Sequence, residues 1–169
     1  MVKTVVSLIE RLSLLAGIAA AALIGIAILM VTQMVFIRYV LVESTAWQTE
    51  VVTFSLVAAT LLGSAWVLKE RGHVAVGLVT AYAPPGPRRI MLAAGDAIVF
   101  LFAALMFYKG AAITWEAYEG DWTTESIYEF PLWIPYSAMP VGFALLALQS
   151  IACMIRVWLG RDDAVMGGH

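Results

Sequence analysis

Residues 12–37, LSLLAGIAAAALIGIAILMVTQMVFI, run for 26 positions without a charge. A helix rises 1.5 Å per residue, so about 20 residues cross a hydrocarbon core of about 30 Å. This run spans a bilayer with residues to spare, which predicts a tilted helix. Lys3 and Arg11 precede it as basic residues precede a secretory signal. The apolar part of such a signal is only about 7–15 residues long, so the reading is an uncleaved signal anchor.

Working outward, Val51–Leu68 supplies 18 uncharged residues, and 22 span-forming residues when Trp47–Glu50 is included. Phe130–Ile155 supplies 26 more. Ile90–Trp115 is the weakest segment, because Asp96 and Lys109 leave only 12 uncharged residues between them. There a re-entrant segment competes with a full span. Composition agrees with lipid as the solvent: 62% of the 169 residues are hydrophobic and 13% charged, against roughly 25% charged in soluble domains. The expectation is an all-α membrane protein of four transmembrane helices in one domain, residues 1–169. The spans fall at about 12–39, 47–68, 90–115 and 131–159, with a loop at 69–89 and an acidic loop at 116–130.

Lys and Arg in short loops favour the cytoplasm. Lys3, Arg11, Lys69, Arg71, Arg88, Arg89, Arg156 and Arg161, eight of the ten basic residues, fall on one side of a four-span arrangement. The other side receives Glu43, Glu119, Asp121 and Glu125, and residues 116–129 hold no Lys or Arg. Both termini are therefore expected in the cytoplasm. Tyr39, Trp47, Trp115 and Trp133 mark the outer interface, and Trp66 and Trp158 the inner one. In the cytoplasmic connection, Gly72 ends the second helix, and Pro84, Pro85, Gly86 and Pro87 stop any helix before the third. His73–Ala83 is apolar enough to lie on the membrane as a short interfacial helix; a plain loop is the alternative, since the segment has no charged face.

Catalysis and cofactors find no support. The two histidines, His73 and His169, lie in a loop and at the terminus, so bis-histidine haem ligation within the spans has no ligands. No Cys/His spacing suits a metal, and Cys153 has no second cysteine to pair with. A net charge of -2 without a basic face argues against nucleic acid. Intramembrane ionisable groups are costly and mark structural or functional sites. Glu50 lies one turn inside Trp47, with Arg38 at similar height and Lys109 about 9 Å below Trp115. Glu50 reads as half of a structural ion pair, as a partner contact or as an ion-coupling group. Lys109 meets Glu50 or snorkels outward. Asp96 has Arg156 as its nearest plausible counter-charge. The acidic loop matches no calcium loop, which leaves it a solvated loop or a docking surface.

Small residues allow the close backbone approach that joins helices in lipid. Gly17, Ala21 and Gly25 form one such stripe and Ala59 with Gly63 another, equally suited to contact within the bundle or with another protein. Pro131, Pro135 and Pro140 cluster at the outer end of the fourth span, and only Pro140 is placed to kink it. No broken helix near the midplane marks a transport site of the chain's own.

The second span and the turn after it, WQTEVVTFSLVAATLLGSAWVLKERGHVAV, resemble the small membrane subunit (DctQ type) of tripartite ATP-independent periplasmic (TRAP) transporters. Trp47, Glu50, Gly63, Ala65, Arg71, Gly72 and His73 fit that pattern, and in the fourth span Trp133, Pro140, Gly142 and Phe143 do so. Ala75 and Gly77 depart from it, where the family commonly has a basic residue and an Asp. The resemblance implies a non-catalytic subunit in a bacterial inner membrane. It would bind a large multi-spanning subunit that holds the substrate and sodium sites, while a periplasmic binding protein delivers an organic acid. Lys69, Arg71, His73, Arg88 and Arg89 would then face lipid headgroups. A self-sufficient small transporter or channel is the alternative, and a membrane enzyme a distant third.

Overall fold

In the computed structural model, which describes residues 2–42, 44–70, 85–126 and 128–159, four long helices account for most of the described residues. They are α1 (Val2–Phe36), α2 (Ala46–Lys69), α3 (Pro85–Glu119) and α4 (Trp133–Trp158). All four are long and apolar enough to cross a membrane. At 1.5 Å per residue, α1 and α3, with 35 residues each, are about 52 Å long. They exceed the hydrocarbon thickness and must tilt or project from it. His73–Ala83 and the turn residues Arg71 and His73 lie outside the described residues.

The third crossing, doubtful by charge, is one unbroken helix. A charge interrupts a hydropathy pattern without interrupting backbone hydrogen bonds, and each charge here has a place to go. Asp96 turns inward and is only 2% exposed, whereas Lys109 is exposed, with its ammonium 5.9 Å from the centre of the Tyr108 ring. The segment Pro85, Gly86 and Pro87, expected to hold the helix off, forms its first turn. The N–H groups there have no intrahelical acceptor, so proline loses nothing.

The helices form a row in the order α1, α2, α4, α3. Two antiparallel hairpins, α1 with α2 and α3 with α4, join where α2 packs on α4, and α1 adds a smaller contact with α4. Among the described residues α3 comes within 8 Å, Cα to Cα, of neither α1 nor α2. Among the described residues, eight of the fourteen buried apolar ones are alanines: Ala16, Ala20, Ala27, Ala59, Ala65, Ala103, Ala117 and Ala152. Large side chains such as Leu15, Leu29, Ile98 and Leu101 stay outside. A soluble core would show the reverse; in lipid, small residues let backbones approach and large ones lose nothing by facing the hydrocarbon.

Both hairpin connections at the acidic end are specified. The last turn of α1 widens into a π-helical turn, Ile37–Leu41, and stops at Val42 in the left-handed region, φ 54°. A β-branched residue is strained there. Helix α3 ends in a Schellman motif: Trp122 N–H donates to Ala117 O (3.0 Å) and Asp121 N–H to Tyr118 O (3.4 Å), with Asp121 at φ 46°. The chain then folds into a small hairpin. Thr124 N–H donates to Phe130 O (2.9 Å), Leu132 N–H donates to Trp122 O (2.8 Å), and Thr123 bridges Pro131.

Candidate functional site

At the basic end, polar side chains of three helices meet. Arg156 of α4 donates through Nη2 to Lys69 O at the end of α2 (3.2 Å), and its Nη1 lies 3.3 Å from Oε1 of Glu10 on α1. The last carbonyls of a helix lack intrahelical donors and carry the negative end of its dipole, so a guanidinium is the fitting cap. A second chain runs beside it. Ser13 Oγ donates to Gln149 Oε1 (2.7 Å), Gln149 Nε2 to Cys153 Sγ (3.6 Å) and Cys153 Sγ to Leu68 O (3.9 Å). Ser13, Gln149 and Cys153 are fully or almost fully buried. The result is a clasp in which α4 holds the first turns of α1 and the last turn of α2, with Val6, Ile9, Ala152 and Ile155 packed alongside.

Glycine sets how closely the helices cross. A Cβ on Gly17 would lie 2.8 Å from Trp66 Cγ, and one on Gly142 would lie 2.8 Å from Leu61 Cβ and 2.9 Å from the Leu61 carbonyl. Gly63 faces Ala20, at 3.4 Å. The α1 stripe is therefore divided: Gly17 packs on α2, while Ala21 is exposed and a Cβ on Gly25 would meet nothing within 4 Å. Ala59 is buried. Pro140 lies inside α4 and has no N–H for Tyr136 O, the carbonyl four residues back. Thr114 of α3 supplies the missing donor. Its hydroxyl lies 3.1 Å from Tyr136 O and 2.7 Å from Gly110 O of its own helix, so a position that would weaken α4 becomes a joint between helices.

At the acidic end, Glu50 is half-buried and Oε2 accepts from Thr124 Oγ1, 3.4 Å away. The same Thr124 oxygen accepts from Phe130 N–H (3.0 Å) and lies 3.0 Å from Ser126 Oγ. Phe54 and Phe130, with ring centres 6.5 Å apart, pin the same hairpin to α2. The acidic connection is thus a closed hairpin docked on the second helix rather than a free loop.

Glu50 takes a hydroxyl and forms no ion pair with Arg38 or Lys109 among the described residues. Lys109 is exposed beside Tyr108. Arg38 is exposed on the π-turn and lines a crevice of about 550 Å3 with Val42, Ser44, Thr45, Ala46 and Thr49. Trp47 is partly exposed; beside it Gln48 is buried with Oε1 unbonded. Trp133 packs edge-on against Tyr118, centres 5.9 Å apart. Asp96 is buried on α3, and Arg156 of α4 has an ion pair with Glu10. Lys69 is half-buried, 3.4 Å from Glu70, Arg88 is half-buried, and Arg89 is exposed. Among the described residues, no group of three His, Cys, Asp or Glu side chains gathers as for a metal.

Glu10, Ser13, Gln149, Thr114 and Thr124 were not singled out in the sequence, and Cys153 was noted only as an unpaired cysteine. For the first two a signal existed: Val6, Ile9, Ser13, Ala16 and Ala20 recur every three or four residues on one face of α1, and Glu10 adjoins that face.

The family model described as tripartite ATP-independent periplasmic transporters, DctQ component, matches residues 27–160. The chain is also similar to the C4-dicarboxylate TRAP transporter small permease protein DctQ of Vibrio cholerae serotype O1. The two are 27% identical over 156 aligned positions, which cover 80% of this chain and 67% of that protein.

Proposed function

This chain belongs to the DctQ-component family of TRAP transporters, and from that premise we propose that it is a non-catalytic scaffold for a large transport subunit. As a small TRAP permease subunit with four spanning helices, it is a multi-pass protein of the inner membrane. In the proposed role it enlarges and anchors the stationary part of a sodium-coupled transporter of organic acids. A periplasmic binding protein docks transiently on the assembly.

One observation carries this reading. Among the described residues, the four helices make an open row in which polar side chains at both ends bond between elements, while many large apolar side chains are exposed. Residues that would otherwise be candidates for transport chemistry hold the row together: Arg156 and Glu10 at one end, Glu50 and Thr124 at the other. A small protein built so offers apolar surface and rigidity. Under this reading the basic end lies in the cytoplasm with both termini, and its Lys and Arg residues each add about 1 kcal/mol of attraction to the anionic leaflet. Ala21 and Gly25, open on α1, are where another helix approaches closely. The test is purification of the tagged chain from membranes that also express the adjacent reading frames. A large multi-spanning protein should co-purify. Substrate flux in vesicles holding this chain alone would overturn the proposal.

A further inference from the structure

Two crevices meet at Arg38, on the π-turn that ends α1. One, of about 550 Å3, lies between that turn and the start of α2 and is lined by Arg38, Val42, Ser44, Thr45, Ala46 and Thr49. The other, of about 480 Å3, is lined by Met34, Val35, Arg38 and Tyr39. Arg38 alone belongs to both linings. Their walls adjoin a second time where Thr49 Oγ1 lies 3.5 Å from Met34 Sδ. Each volume falls within the range of about 300–1,000 Å3 common to small-molecule sites.

The two crevices differ in chemistry. The first carries three hydroxyl side chains beside the guanidinium: Ser44, Thr45, which makes no cap bond to α2, and Thr49. The second replaces them with Met34 and Val35, which lie about one turn, or 5–6 Å, further along α1 from its end. Tyr39, 81% exposed, stands at the boundary, where amphipathic rings sit at headgroup depth. The backbone is specialised at the same place. Single π-turns occur often at functional sites, and Val42, held at φ 54°, is the kind of strained position that gathers at ligand clamps. A free anion would use the first crevice alone, and a bare acyl chain the second alone. A phospholipid fills both and sets its phosphodiester at the guanidinium between them, where two parallel N–H bonds can form. A guanidinium has five N–H donors, so one other contact of Arg38 would still leave enough.

We propose that the paired crevices at the end of α1 form a binding site for one phospholipid of the leaflet at the acidic end. The phosphodiester accepts from Arg38, the polar headgroup lies among Ser44, Thr45 and Thr49, and one acyl chain lies along Met34 and Val35. The site depends on the helices crossing the membrane and not on the proposed scaffold role.

The experiment uses the full chain in its detergent-solubilised, partner-bound form, partly delipidated and followed by native mass spectrometry. It is titrated with phosphatidylethanolamine, with diacylglycerol of the same acyl chains, and with glycerol phosphate as the headgroup alone. The tightest-bound phosphatidylethanolamine should bind about tenfold or more tightly than diacylglycerol, and glycerol phosphate should not displace it. R38Q should weaken phosphatidylethanolamine about tenfold and leave diacylglycerol unchanged. R38K, which keeps the charge and loses the planar fork, should fall between. V35W, which fills the second crevice, should weaken both lipids. R11Q removes an exposed charge at the other end and should change neither. Equal binding of the two lipids would reduce the crevices to apolar surface. Displacement by glycerol phosphate would leave only an anion site. Full lipid affinity in R38Q, with partner yield lowered instead, would assign Arg38 to a protein contact. Each of these three outcomes overturns the proposal. Unchanged elution and thermal transition of R38Q would show that its loss is not one of folding.

Discussion

Replacing Gly142 by Ala places one methyl group 2.8 Å from Leu61 Cβ and 2.9 Å from the Leu61 carbonyl. Carbon atoms attract best at about 3.5–4.0 Å, so α2 and α4 must part locally by about 0.7 Å or more. Because the contact is partly with backbone, no rotamer change relieves it. Overpacking of this kind costs about 1–3 kcal/mol. Alanine also returns up to about 1 kcal/mol of helix propensity, which would hide part of the loss. Gly25→Ala isolates that return, since its Cβ meets nothing within 4 Å. We therefore expect the two variants, compared by reversible unfolding of the isolated chain in mixed micelles, to differ by about 1–3 kcal/mol. Gly25→Ala should equal or exceed the parent in stability. Stabilities that agree to within about 0.5 kcal/mol would refute the claim that α2 and α4 cross on Gly142.

Other expectations rest on the joints. Thr114→Val should cost about 0.6 kcal/mol, and no more than about 1.7, as for interhelical hydrogen bonds in membranes; in a Pro140→Ala background, where Tyr136 O regains its N–H, the cost should shrink, and an unchanged cost would contradict the joint. A double-mutant cycle on Glu10→Gln and Arg156→Gln should give a coupling of about 0.5–3 kcal/mol, and strict additivity would remove the clasp between α1 and α4. Glu50→Ala should speed hydrogen exchange at Thr124 and Leu132 and lower complex yield more than it alters substrate affinity; the opposite pattern would move Glu50 onto a transport path. Asp121→Gly should be neutral or stabilise by up to about 1 kcal/mol, because glycine suits the left-handed C′ position, whereas destabilisation would contradict the Schellman ending of α3.

The existence of the helices was legible because lipid imposes one rule on composition: a spanning segment must be long and uncharged. Asp96 and Lys109 obscured the third helix, since hydropathy counts charges without knowing that one faces inward and the other can snorkel. The small-residue stripes included Gly17 and Gly63, which face Trp66 and Ala20, but periodicity on a helix that is apolar all round could not say which half of a stripe is used, and Gly142 was named only through the resemblance. The clasps were harder to read. Arg156 was weighed against Asp96 alone, while Glu10, a counter-charge it does meet, sits before the uncharged run and outside the span as first drawn. Thr124 and Thr114 carry no sequence signal, because the partner of each is made only by the fold: a docked hairpin in one case, a carbonyl freed by Pro140 in the other.

The central claim is that this row of helices is a scaffold completed by a larger membrane subunit. Native mass spectrometry of the tagged chain, purified in mild detergent from membranes that also express its flanking reading frames, tests it most directly. The expected spectrum is dominated by a stoichiometric complex with a protein of about 12 or more spans, weakened when Gly25 is replaced by a bulky leucine that leaves the chain itself folded. A spectrum of the chain alone, unaffected by that substitution and accompanied by substrate flux in reconstituted vesicles, would contradict it.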